Sequence, residues 1–326
     1  MADPMADITV VIPTLDRPAS LARAMASVLR LQEAAALVDA IVIADNSPAA
    51  SARPTVAAIA AGSVVQITYV HAPKPGVATA RNAALAVVSA PFVAFLDDDE
   101  EAAPGWLSSL FTVHRDTGAD VTFGPVQGVA DAAEPWARAY LDAFFSRTGP
   151  ASSGLTDAVH GCGNSMMTRA TALAGPAPFD VAADHTGGED DRLFARLKAG
   201  GARFAWAADA VVLEHAPDHR ATVRYALARA LGYGQTPGQI AARSGDWPGV
   251  ARWMIIGAAQ TLLFGAGALI LAVPAPTHAL TLADKAARGL GKVLWFLTLD
   301  FYGRASTTGA ASLSPMATKN VQRKSL

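Results

Sequence analysis

The chain has a single cysteine, Cys162, in 326 residues. That excludes an internal disulfide and any cysteine-based metal cluster, and it suits a reducing compartment. Charge is scarce as well: acidic and basic residues together make up 17 % of the chain, and the formal net charge is −2. The longest basic stretch is the short "KNVQRK" near the end, so neither composition nor patterning draws the chain to nucleic acid. No internal repeat is visible, and "MADPMADITVVIPT" carries acids but no basic segment before its first apolar run, so it does not read as a secretory signal. What the chain does have is apolar bulk, 52 % by count and rich in alanine, enough for a sizeable core.

The first half alternates. "ITVVIPT" (8–14), "AIVIADNS" (40–47), "VVQITYV" (64–70) and "PFVAFLDDD" (91–99) are short apolar runs that read as strands. Between them, 21–31, 56–61 and 76–88 carry helical periodicity. Strands separated by helices of this length predict a βαβ series and a mostly parallel sheet flanked by helices, an α/β fold. In such sheets ligands bind beyond the carboxyl ends of the strands. "PTLDR", "ADNS" and "DDDE" all end strands, and all fall on that one edge.

After Trp106 the pattern loosens. "VTFGPVQG" and "GCGNSMMTR" read as strand-and-turn pieces, and the Gly-rich segment 146–158 reads as a mobile loop. "EDDRLFARLKAGG" (189–201) reads as a helix with acids in its first turn and a glycine stop. "RFAWAADAVVLEH" (203–215) returns as a strand pair. Trp106 and Trp136 could stack on a ligand, although core packing is the simpler expectation for both.

Five consecutive carboxylates, Asp97 to Glu101, follow a strand that reads as buried. Like charges are held together for solvent, a cation or chemistry. Carboxylate oxygens are hard ligands for Mg²⁺ or Mn²⁺, and Asp97 and Asp99, one residue apart, can aim at one ion. A solvated acidic turn is the bland alternative, countered by the position of these acids at the convergent edge. Glu100 and Glu101 are expected to face water.

Six blocks in order, "VVIPTLDR", "IVIADNS", "GVATARNAAL", "VAFLDDDEEAAPGWL", "GCGNSMMTR" and "GGEDDRLFARLKAGG", resemble the signature blocks of family 2 glycosyltransferases of the GT-A (Rossmann-like) fold. The resemblance covers about residues 8–215, and it looks most like bacterial exopolysaccharide enzymes of the succinoglycan glucosyltransferase type. It implies an inverting, metal-dependent transfer of a hexose, glucose first, from a UDP-sugar to a lipid-linked or oligosaccharide acceptor, with Mn²⁺ or Mg²⁺ as cofactor.

The resemblance also assigns residues. Pro13, Thr14 and Asp16 match the loop that cradles the nucleotide, although the family often has Asn where Asp16 stands. Asp45 matches the acid that bonds the uracil ring, and Arg81 a basic residue near the donor. Asp97 and Asp98 match donor contacts, Asp99 the metal ligand with Asp97 beside it, and His215 a metal ligand or diphosphate contact. Asp190 matches the general base and Glu189 its partner in the acidic pair, with Asp191 adding like charge. Gly161, Gly163 and Asn164 match the acceptor-side turn, which makes Cys162 incidental packing.

Beyond 218 the chain turns helical, basic and then apolar. Trp253 to Val273 carries no charged residue and reaches the roughly 20 residues that cross a bilayer core; a buried core helix would read the same way. The expected organisation is a glycosyltransferase domain over 1–218, a helical membrane-associated region over 219–303 and a disordered tail over 304–326. The expected place is the cytoplasmic face of a bacterial inner membrane, where Arg224 and Arg229 could contact lipid phosphates. Two alternatives stay open here, a sugar nucleotidyltransferase and a non-catalytic membrane-anchored carbohydrate-binding protein. A nucleotidyltransferase would want a Gly-rich basic loop after its first strand, and "PTLDRP" is not one. An aspartyl phosphatase would want its paired acids after the first strand rather than the fourth.

Overall fold

The computed structural model describes residues 8–184, 187–299 and 313–315. In chain order the elements are β1 (Ile8–Thr14), α1 (Pro18–Leu29), α2 (Ala34–Leu37), β2 (Val38–Asp45), α3 (Arg53–Ala60), β3 (Gln66–His71), α4 (Val77–Leu85), β4 (Phe92–Phe95), β5 (Glu100–Ala102), α5 (Trp106–Thr117), β6 (Val121–Phe123) and β7 (Val126–Val129). There follow α6 (Pro135–Phe145), β8 (Gly154–Leu155), β9 (Ser165–Thr168), α7 (Glu189–Ala199), β10 (Phe204–Trp206), β11 (Val212–His215), α8 (Val223–Arg243), α9 (Trp247–Leu271), α10 (Pro276–Val293), β12 (Leu297–Leu299) and β13 (Leu313–Pro315). The mixed α/β architecture expected from the alternating pattern is present. The chain divides into two compact units, one holding the chain up to Val129 together with Phe145–Ala216, the other holding Ala130–Phe144 and the chain from Pro217.

In the first unit an eight-stranded sheet runs β3-β2-β1-β4-β9-β6-β10-β8. β3, β2, β1 and β4 are parallel, as the βαβ reading requires, with Thr14 opposite Asp45 and Val11 opposite Phe95. β9 then enters antiparallel between β4 and β6, a pairing that no local pattern announces. Alternation along β1 sends Ile8, Val10 and Ile12 to one face and Val11 to the other. The first face packs against α1, α3 and α5 through Leu21, Met25, Val56 and Leu110, the second against α4 and α7 through Ala84, Leu193 and Phe194. A smaller sheet, β5-β11-β7, sets Glu100 opposite Glu214 and buries Glu100. Part of the glycine-rich segment 146–158 is β8, paired with β10.

In the second unit α8, α9 and α10 pack together with α6. Tyr140 of α6 donates to Asp284 of α10 at 3.3 Å, and buried Gln235 of α8 donates to the carbonyls of Leu294 and Leu297, both at 2.8 Å. Among the described residues α9 is the one helix long and apolar enough to cross a membrane. β12 and β13 pair antiparallel. The rest of the 304–326 segment, expected to be disordered, lies outside the described residues.

Candidate active site

The carboxyl ends of β1, β2 and β4 supply the first wall. Thr14, the last residue of β1, donates its hydroxyl to Asp98 Oδ2 at 2.7 Å. Arg17, one turn later, places Nη1 3.1 Å from Asp98 and 2.9 Å from Asp99. Asp98 is buried, and that burial lifts its carboxyl to about 6 even though Arg17 pulls the other way. Asp16 is exposed on the same turn in a left-handed conformation, φ 54°, which short polar side chains tolerate best. Pro13 is buried within β1.

The second wall is an ion network beneath this turn. Arg81 of α4 is 4 % exposed, its Nη1 2.5 Å from Glu189 and its Nη2 3.3 Å from Asp97. Burial disfavours its charge, but the acids around it prevail and its pKa is raised. For Glu189 burial prevails over Arg81, so its carboxyl is raised. α4 is itself pinned by Asp184, which accepts from the backbone of Ala78 at 2.8 Å and the hydroxyl of Thr79 at 2.6 Å. Glu100 is the departure from expectation. It is 1 % exposed, not water-facing, because β5 pairs with β11. Its Oε2 accepts the Asp97 amide at 3.0 Å, and its Oε1 meets Arg147 Nη2 at 3.1 Å. Burial, then the nearby Asp97, hold its carboxyl well above the ordinary range. Glu101 follows the expectation more closely and pairs with Arg23 at 3.5 Å.

The third wall is the turn 161–164. The Cys162 amide donates to Asp190 Oδ2 at 3.2 Å, which ties the first turn of α7 to this loop. A Cβ on Gly163 would stand 2.5 Å from Asp97 Oδ2, and one on Gly161 would collide with Arg147, so both glycines allow close approach. The Asp191 carboxyl is raised by burial and then by the charge of Asp190. Cys162 is buried with its thiol pushed up by that burial, which suits packing rather than nucleophilic attack.

The structure therefore brings Thr14, Arg81, Asp97, Asp98, Asp99, Gly161, Gly163, Glu189 and Asp190 into one contact network. Three other expected site residues are placed differently. Asp45 has no exposed surface; its oxygens accept from the amides of Ser47 and Ala52 and from Tyr69 Oη, so as it stands it builds the loop after β2. Asn164 is fully buried, receiving the Trp106 indole N–H at 2.7 Å and donating to the carbonyls of Pro125 and Ala210. Trp106 is thus core, as expected, while Trp136 is half exposed. His215 donates its amide to Asp99 O at 2.8 Å, and its ring Nε2 lies 3.0 Å from Glu101. Arg17, Asn46, Asp184 and Arg147 were missed at the sequence level. Arg17 and Asn46 sit inside the recognised blocks and could have been flagged by their neighbours. Asn46 bonds Ala72 O, Lys74 O and the Gly76 amide, stitching the loop after β2 to the loop before α4.

A match to the model for glycosyl transferase family 2 runs over residues 9–174. The chain is a family 2 glycosyltransferase. This glycosyltransferase is 30 % identical over 274 residues to the succinoglycan biosynthesis protein ExoM of Rhizobium meliloti (strain 1021), covering 83 % of this chain and 87 % of that one. It is also 30 % identical over 244 residues to a pre-mycofactocin glycosyltransferase of Mycobacterium tuberculosis (strain CDC 1551 / Oshkosh), covering 74 % of this chain and 48 % of that one. Membership answers the nucleotidyltransferase and binding-only alternatives. The glycosyltransferase is an enzyme.

Family 2 glycosyltransferases generally work with a divalent metal. Among the described residues no three His, Cys, Asp or Glu side chains group closely enough to cage an ion by themselves. Asp97 and Asp99 nevertheless offer two hard carboxylates at the lip of the site, their side chains 36 % and 17 % exposed. That donor set fits a cation of the Mg²⁺ type, which takes one or two carboxylates and completes its shell with substrate phosphates and water.

Proposed function

We propose that this glycosyltransferase moves a hexose, glucose first among candidates, from a UDP-sugar to a lipid-linked or oligosaccharide acceptor in exopolysaccharide assembly, with inversion at the anomeric carbon. The observation that carries the reading is the turn 161–163. Its Cys162 amide holds Asp190 and its Gly163 lies against Asp97, so an acceptor-side base and a donor-side acid share one short loop. The kinship with a succinoglycan biosynthesis protein supports the polysaccharide class.

In this reading the loop of Pro13, Thr14 and Asp16 receives the nucleotide, with Asp45 shaping the wall beside the base. Asp97 and Asp99 would hold the cation, and His215 supports Asp99 through its backbone. The cation, Mn²⁺ or Mg²⁺, supplies charge neutralisation for the departing UDP. Arg17, now on Asp98 and Asp99, is the group that must yield when the diphosphate arrives. Arg81, on the donor side of the site, fixes Asp97 and Glu189. Asp190 accepts the proton of the acceptor hydroxyl, whose oxygen attacks the anomeric carbon as the bond to the UDP oxygen breaks. One base and no placed carboxylate nucleophile favour single displacement, so an α-linked donor yields a β-linked product.

The second unit is proposed to keep the enzyme on the cytoplasmic face of the inner membrane, near a lipid-linked acceptor. Calorimetric titration of UDP and UDP-glucose, with and without Mn²⁺, on wild type and Asp99→Ala tests the donor half. Metal-dependent UDP binding that Asp99→Ala abolishes is expected. Absence of UDP binding in every condition overturns the donor assignment and leaves the family membership standing.

A further inference from the structure

α9 could meet a membrane in two ways, end-on across it or side-on within one leaflet, and its packing against α10 decides between them. The solvent side of α9 is a single apolar stripe. Ile255, Leu262, Leu263, Leu269 and Ile270 recur at helical spacing, between 70 % (Leu263) and 80 % (Leu269) exposed, and Val273, just past the helix end, is 91 % exposed. From Ile255 to Ile270 the helical part of the stripe is about 22 Å long at 1.5 Å per residue.

The opposite side of α9 is bound to α10 at backbone distance. A Cβ on Gly257 would stand 2.5 Å from Gly289 O, and one on Gly289 would stand 2.8 Å from Gly257 O. Thr261 Oγ1 reaches Ala286 O at 3.4 Å, and Lys292 Nζ reaches Gln260 Oε1 at 3.0 Å. Lys285 Nζ lies 5.4 Å from the centre of the Phe264 ring. These contacts set the charged half of α10 level with the middle of α9. Asp284 and Arg288 pair there at 2.6 Å, and Arg288 also lies over Tyr233 of α8 at 5.2 Å.

A bilayer-spanning α9 would therefore carry Lys285, Lys292 and the Asp284–Arg288 pair to the level of the membrane midplane, where charged side chains are costly. Turned side-on, the same hairpin places the stripe in the acyl boundary and leaves the charges of α10 toward water. An exposed cation, Arg252, stands at the start of the stripe. No acid occurs between Asp246 and Asp284. That charge balance complements an anionic lipid surface.

We propose that α9 docks side-on into one leaflet of an anionic bilayer through the stripe from Ile255 to Val273, rather than crossing the membrane. The proposal rests on the membrane-associated reading of the second unit and supplies its topology.

The test uses the full chain with vesicles of phosphatidylethanolamine and phosphatidylglycerol. Ile255→Cys, Leu262→Cys and Val273→Cys are each labelled with an environment-sensitive fluorophore, and depth is read by quenching from lipids labelled at different chain positions. Equal, shallow depth at all three positions, with the Val273→Cys label open to an external reductant, is expected. Leu262→Asp combined with Leu263→Asp is expected to lower vesicle partitioning about tenfold or more, with unchanged circular dichroism. Depth that peaks at Leu262, with the Val273→Cys label protected inside the vesicle, overturns the side-on topology while leaving membrane association intact. Failure of wild type to bind vesicles, with a dimer in solution that the Asp pair dissolves, overturns both and makes a second copy the occupant of the stripe.

Discussion

Arg81 Nη1 and Glu189 Oε1 meet at 2.5 Å with both side chains almost wholly buried. The pair joins α4 to the first turn of α7 across 108 positions of sequence, and Arg81 reaches on to Asp97 at 3.3 Å. Removing one partner leaves an uncompensated buried charge. Arg81→Met is therefore expected to cost about 3–5 kcal/mol of stability. Arg81→Met with Glu189→Leu should recover part of that loss. Urea unfolding of the single and double variants checks both, and an additive double variant would show that the pair does not act as one unit.

Asp190 is gripped by the Cys162 amide at the head of α7. As the proposed base, its replacement in Asp190→Asn should lower kcat by about 10²- to 10⁴-fold. The asparagine still accepts the amide, so UDP-sugar affinity should not change. Steady-state kinetics beside donor calorimetry separates this from general damage, since damage would weaken both.

Gly163 tests the close approach directly. In Gly163→Ala the added carbon meets Asp97 Oδ2 at 2.5 Å and Glu100 Oε1 at 3.0 Å. Displacing Asp97 by even a few tenths of an ångström should lower kcat/KM for the donor, roughly tenfold to a hundredfold. The measurement is donor-dependence of the rate, with the melting temperature as the control for folding.

A pH dependence of stability follows from His114, which has no part in the site. Its ring nitrogens bond the hydroxyls of Thr122 at 2.9 Å and Thr168 at 2.8 Å, and burial pulls its pKa down from 6.5 to about 4. The unfolded chain takes up this proton near pH 6.5 and the native state only near pH 4. Stability is therefore full above pH 6.5 and falls as pH drops toward 4, by about 3 kcal/mol in total. His114→Gln should flatten that part of the profile in denaturant titrations between pH 4 and 7.

The parallel half of the sheet and its loaded edge were legible because each rests on local signals. Apolar runs of strand length, helical spacing between them and polar turn residues after them mark β1, β2, β3 and β4 within a few residues. The fate of the acids was not legible in the same way. Glu100 and Glu101 are neighbours of one charge type, yet Glu100 is sealed between Arg147 and the Asp97 amide while Glu101 pairs with Arg23 at the surface. That difference is set by β5 pairing with β11, more than a hundred residues away.

The same division runs through the site. Sequence alone determined the alternation of strand and helix, the family resemblance and the presence of acids at one edge, since these depend on neighbours along the chain. Only the tertiary structure decided how they are used: Arg81 is occupied by Asp97 and Glu189, Asp45 and Asn164 are closed into the scaffold, His215 turns to Glu101, and Arg17 faces Asp98 and Asp99. Each of those outcomes is a competition among distant charges and hydrogen-bond partners for one another, settled by which groups the sheet brings within reach.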